Sequence, residues 1–176
     1  MANTITVDQL KELLQIQKDF DSRIPTLNLQ DSKVAYIVEF FEWFNTLETF
    51  KNWKKNPGKP LDVQLDELAD MLAFGLSIAN QMDVKEYEIE IFVNDFKKFP
   101  FKGVINLNDN KFFTSLLEQL HDYVKEKASF ADYISLPLMA AGNHYTIDQL
   151  ITAYKKKMER NHARQDGTAD KDKGYV

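Results

Sequence analysis

"AYIVEFFEWFN", residues 35–45, is among the most apolar runs in the chain, yet Glu39 and Glu42 stand in it among Tyr36, Ile37, Val38, Phe40, Phe41, Trp43 and Phe44. Burying a carboxylate is costly unless a cation or hydrogen-bond donors compensate it. Either these acids point outward from a half-buried helix, or something positive sits between them. The same pattern returns at "LDELAD", residues 65–70, where Glu67 and Asp70 are again three apart on a leucine-rich segment. Residues i and i+3 share a helical face. Two such helices, separated by the break "NPGKP" at 56–60, would pack as an antiparallel hairpin and bring Glu39, Glu42, Glu67 and Asp70 together. One acid pair at this spacing usually decorates a solvated face. Two pairs on neighbouring apolar helices make a divalent cation the simplest compensating partner, and all-oxygen ligation suits Mg²⁺, with Mn²⁺ as the alternative.

Helical signals extend outward from this hairpin. "TVDQL" at 6–10 and "TIDQL" at 146–150 are capping boxes, with Thr6 and Gln9, and Thr146 and Gln149, as the reciprocal pairs. Asp31 or Ser32 can start a helix running to about Lys54, and Asp62 can cap the next, to about Gln81. Asp83 with Glu86 suggests a helix to about Phe99, and Asn108 or Asp109 one through Glu126. "LPLMAAGNH" closes a shorter segment before the helix that begins at Thr146. Apolar residues follow the helical period, as in the stripe of Leu10, Leu13 and Leu14 that the polar Gln17 continues, and in Leu61, Leu65, Leu68, Leu72 and Leu76. Only "YEIEIFV" at 87–93 alternates well enough to read as a strand. Its capped flanks and lack of a partner strand favour helix. The fold class is all-α.

At 176 residues the chain reads as one domain with a real core. A formal net charge of −5 argues against a surface built for nucleic acid. The absence of cysteine excludes disulfides and thiolate metal sites. His121, His144 and His162 have no spacing that suggests zinc. "MANTITVDQL" lacks a signal-peptide pattern, and no segment approaches a membrane span, so a soluble cytoplasmic protein is expected. Residues 166–176, "DGTADKDKGYV", are small and charged and read as a mobile tail. Near the C-terminus Lys157, Asn161 and Arg164 fall at i, i+4 and i+7, a stripe that offers two cations and an amide to a polyphosphate. Cations near a helix C-terminus are also ordinary solvated charge.

"EFFE" at 39–42 followed by "ELAD" at 67–70 resembles the E-x-x-E…E-x-x-D pattern of the all-α nucleoside triphosphate pyrophosphatases, which include MazG-like enzymes and dimeric dUTPases. Two further stretches resemble the dimeric dUTPase branch. "LLQIQKDFDSRI" at 13–24 is similar to its nucleoside-binding segment, with Gln17 and Asp21 in the places usually held by Gln and Asn. "YKKKMERNHARQDG" at 154–167 is similar to its phosphate-binding motif. The resemblance implies a helical bundle in one domain over 1–165, with about 85–130 as a variable insertion and 166–176 as a lid. It implies a homodimer of the phage-encoded type, acting in the host cytoplasm. The implied reaction is hydrolysis of dUTP to dUMP and pyrophosphate, by attack at the β-phosphorus and with tolerance of dUDP. Glu39, Glu42, Glu67 and Asp70 would hold Mg²⁺, with Glu39 preferred for activating water. Lys157, Asn161 and Arg164 would hold phosphates, and Gln17 and Asp21 would select the nucleoside. The family's Gly-Tyr follows its Arg-Gln closely, whereas here Tyr175 lies further on and would have to reach the site from a longer lid. Asp21 departs from Asn, and when ionised it can only accept hydrogen bonds. Such phage enzymes can also bind repressors of mobile pathogenicity islands, an implied second partner. Two other readings stay open: a MazG-like pyrophosphatase for another nucleotide such as dCTP, and a non-catalytic helical interaction protein.

Overall fold

The computed structural model of the chain describes residues 3–98, 106, 109–125, 127–170 and 172. Seven helices and no strand occur among them: α1 Val7–Asp21, α2 Leu29–Leu47, α3 Leu61–Gln81, α4 Glu86–Phe96, α5 Asn110–Val124, α6 Phe130–His144 and α7 Ile147–Gln165. Both capping boxes form. Thr6 and Thr146 accept from the backbone N–H groups of Gln9 and Gln149, whose side chains accept from the Thr N–H in return. "YEIEIFV" is helical within α4.

The hairpin of α2 and α3 is the centre of the fold. α3 packs against α1, α2, α6 and α7, while α5 lies on α2 and α4 on α1. A helix surrounded in this way is apolar on most sides. In α3 Leu65, Leu68, Met71, Leu72, Leu76 and Ile78 are buried, and only Leu61 of the leucine stripe is exposed. Ile89, Phe92, Val93 and Phe96 of α4, with Leu116 and Leu120 of α5, join the same core, so the region read as an insertion shares it. No described helix is long and apolar enough to cross a membrane.

Several helix ends differ from the sequence expectation, and each has a local cause. α2 starts at Leu29 because Asn28, rather than Asp31 or Ser32, caps it by accepting from the Asp31 N–H. It stops at Leu47 instead of Lys54. Glu48 turns left-handed there (φ 55°) and its carboxylate is buried under Lys51, Lys54 and the Gly58 N–H. These cations hold the Glu48 carboxyl at about 2 and tie the 49–60 connection to the helix end. α4 begins after Lys85, whose N–H donates to Glu88, while Asp83 occupies a left-handed turn.

The largest difference is α6, expected as a short closing segment and found as a helix with Pro137 inside it. Proline cannot donate to the carbonyl four residues earlier, which is that of Tyr133. The Tyr36 hydroxyl of α2 donates to this carbonyl instead, at 3.0 Å. α3 passes so close that a Cβ on Gly75 would lie 2.5 Å from the Tyr133 oxygen. Backbone cannot move aside as a flexible side chain can. Gly75→Ala is therefore expected to cost about 3 kcal/mol of stability, the upper end of ordinary overpacking, read as a lower urea midpoint at unchanged slope.

Candidate metal and phosphate site

The half-buried acids of the hairpin meet as the spacing suggests, with one distinction. Glu39 of α2 and Glu67 and Asp70 of α3 each bring a carboxylate oxygen within 4.8 Å of the others. Glu42 is exposed and outside this group, though its charge still reaches Glu39 and Glu67. Glu39 is on the inner side of α2, and its Oε2 is buried with no hydrogen-bond partner. Burial first, then repulsion from Asp70, Glu42 and Glu67, raises the Glu39 carboxyl to about 8. Burial also raises Glu67, against the opposing charge of Lys157. An orphaned buried oxygen beside two further carboxylates is an all-oxygen donor set, which fits a hard divalent cation.

α7 supplies the positive side. The Lys157 ammonium lies between Asp66 Oδ2 at 2.7 Å and Asp70 Oδ2 at 2.5 Å, on a side chain only 8% exposed. Burial opposes its charge, but the two aspartates outweigh that and hold its pKa above the ordinary lysine value. Arg164 is close enough for its charge to act on Asp70. Its Nη1 donates to Asn161 Oδ1 at 2.9 Å and its Nε to Asp170 Oδ2 at 2.6 Å. Arg160 shares the Asp170 carboxylate, and the two guanidinium groups hold it at about 2. The described start of the C-terminal segment thus folds back on α7, and Asp166 also pairs with Arg23 at 2.6 Å. Tyr175 lies outside the described residues.

Gln17 and Asp21 are both buried on α1. Gln17 Nε2 donates to Asp21 Oδ1 at 2.7 Å, and the Tyr154 hydroxyl of α7 donates to Gln17 Oε1 at 3.1 Å. This network orients the Gln17 amide and ends at Asp21 Oδ2, which has no partner. Burial raises the Asp21 carboxyl, and the neighbouring Ser77 and Gln17 offset part of the rise. Tyr154 precedes Lys157 by one helical turn, so α7 connects the α1 pair with the acids. An open apolar groove of about 520 Å³ between α4 and α6, lined by Tyr87, Ile91, Phe92, Phe130 and Met139, lacks any such cluster.

Asp66, Ser77, Tyr154, Arg160 and Asp170 were not candidates in the sequence. Arg160 carried a signal, one position before Asn161 in the basic stretch. Asp66 is an ordinary acid until α7 brings Lys157 against it. A family model described as dUTPase matches residues 9–168 of the chain. No curated protein matches it significantly.

Proposed function

The chain belongs to the dUTPase family, and on that premise we propose that Glu39, Glu67 and Asp70, faced by Lys157 and Arg164, form its reaction centre. The activity itself, dUTP diphosphatase, hydrolyses dUTP to dUMP with release of pyrophosphate. Neither a pyrophosphatase for another nucleotide nor a helical interaction protein gains support from the match, and the repressor partner gains none either.

The observation that carries the assignment is the convergence of three carboxylates within 4.8 Å beside a buried lysine. Glu39, Glu67 and Asp70 would hold the cation, for which Mg²⁺ is our reading, with Glu42 at the rim. When bound, the cation supplies charge neutralisation at phosphate oxygens and acidifies nearby water. Glu39, with a buried oxygen that no protein group claims, is our choice for the general base. It takes the proton as water oxygen bonds to the β-phosphorus. The bond from that phosphorus to the bridging oxygen breaks, and dUMP leaves with that oxygen. Lys157 and Arg164 hold the phosphates, with Asn161 orienting the Arg164 guanidinium. Gln17 and Asp21 face the nucleoside, where Asp21 offers an acceptor when ionised. In our reading residues 1–165 work as one domain, and the segment from 166 closes over the substrate.

Asp170 occupies Arg164 in this structure, so an incoming phosphate displaces it. Asp170→Ala is expected to lower KM for dUTP about threefold at unchanged kcat, the size of a partly exposed ion pair. A homodimer is part of the same reading. Val34, Val38 and Phe41 form an exposed stripe on α2 at i, i+4 and i+7, and chain mass by light scattering tests it.

The deciding experiment measures pyrophosphate release from dUTP, dTTP, dCTP, dATP, dGTP and UTP with and without Mg²⁺, and phosphate release from dUDP. Mg²⁺-dependent turnover selective for the two uracil deoxynucleotides is expected. Release centred on dCTP, or indifferent to the base, would overturn the assignment of Gln17 and Asp21 to nucleoside selection.

A further inference from the structure

We propose that Asp66 is a positioning residue for Lys157, keeping its ammonium directed at the phosphate site when Asp70 is committed to the cation. This rests on the reading of Lys157 as a phosphate contact. Asp66 lies outside the E-x-x-D pattern and is not one of the three converging carboxylates. It precedes Asp70 by four residues on α3, so the two side chains lie one turn apart on one face. Lys157 Nζ sits between them at 2.7 and 2.5 Å.

The two partners are not equivalent. Asp70 is half-buried within the acidic group, with its side chain 19% exposed, and a cation there draws on its charge. Asp66 is 47% exposed and faces the α7 side, where nothing but Lys157 claims its Oδ2 among the hydrogen bonds of the described residues. A lysine ammonium is a point charge on a flexible stem with three rotatable donors. Held by Asp70 alone, it would lose much of its anchor on cation binding and would compete with the cation for the same carboxylate. With Asp66 present, one donor stays fixed, the charge remains compensated, and another donor is available for a phosphate oxygen. A plain tether between α3 and α7 predicts something different: lower stability with no selective effect on substrate or cation binding.

The test uses the full chain and reads steady-state kinetics with dUTP together with Mn²⁺ affinity by calorimetry in the absence of nucleotide. Asp66→Asn is expected to raise KM about tenfold, the lower end for one charge-assisted hydrogen bond, with kcat within about twofold. Mn²⁺ affinity falls about threefold, because Lys157 then leans wholly on Asp70. Asp66→Glu restores most of both. Asp62→Asn removes an equal charge one turn earlier on α3 and leaves both readouts in place. In a Lys157→Met background, Asp66→Asn adds nothing to KM. An unchanged KM in Asp66→Asn, beside a raised KM in Lys157→Met, overturns this inference and leaves the phosphate contact standing. Full additivity of the two substitutions, or an equal effect of Asp62→Asn, also overturns it. An unchanged KM in Lys157→Met removes the phosphate contact itself and this inference with it. Should Lys157→Met not fold, the Asn and Glu variants of Asp66 and the Asp62 control decide the question alone.

Discussion

Asp70→Ala is expected to lower kcat for dUTP by about a thousandfold or more while the helical CD signal stays near that of the native chain. Charge stabilisation by a bound cation is worth several kcal/mol, and each ~1.4 kcal/mol is a factor of ten in rate. Asp70 has two duties in the geometry. It is one of the three carboxylates within 4.8 Å, and it holds Lys157 at 2.5 Å. On the proposed assignment its loss removes a cation ligand and loosens the lysine together, so added Mg²⁺ is expected to recover little. Alanine is the strongest helix former, and Asp70 makes no cap, so α3 itself is not weakened. Pyrophosphate release over a Mg²⁺ titration, with CD on the same samples, is the measurement. Retention of a tenth of native turnover would remove Asp70 from the reaction centre. The same reasoning applies to Glu67→Ala, which spares the lysine contact.

The second large effect concerns pH. With no cation bound, burial and three neighbouring acids hold the Glu39 carboxyl at about 8, far above its ordinary 4.5. The folded chain therefore keeps a proton that the unfolded chain gives up, and the linkage has a definite sign. Stability from this group is fully present below the unfolded value and is lost as pH rises through about 8. Glu67 and Asp21 carry upward shifts of the same sign. His144 is shifted down by burial, so it favours the folded state as pH rises past the ordinary histidine range, and its effect opposes the others at lower pH. In chelator, the melting temperature should fall between pH 6 and pH 9, and the Glu39→Gln chain should lose the upper part of that slope because it has no proton to shed. A divalent cation needs the ionised carboxylate, so its affinity should climb with pH until about 8 and then level. Saturating Mn²⁺ should flatten the native slope. Parallel melting curves for native and Glu39→Gln chains would show that Glu39 is not the buried acid of this cluster.

Features set within a few residues were legible before any packing was known. The capping boxes at Thr6 and Thr146 act over three positions and form as read. The end of α3 at Gln81 and the helical state of residues 87–93 also follow local signals. Reading failed where a distant group changes the local balance. Pro137 ordinarily ends a helix, but the Tyr36 hydroxyl takes up the carbonyl it strands and Gly75 makes room for the contact. The helix read as running to about Lys54 ends at Leu47, because the buried Glu48 carboxylate gathers Lys51 and Lys54 from the following turn.

The candidate site divides along the same line. The sequence alone determined that the chain is helical, that two acid pairs sit on successive helices, and that Lys157, Asn161 and Arg164 share a stripe, because spacings of three and four within one helix have a fixed geometric meaning. Only the tertiary structure decided which acids converge. The rotation of α2 against α3 turns Glu39 inward and leaves Glu42 exposed, and the register of α7 sets Lys157 between Asp66 and Asp70. Those outcomes depend on the roll and slide of one helix against another, which are settled by core side chains far along the chain and not by the spacing within either helix.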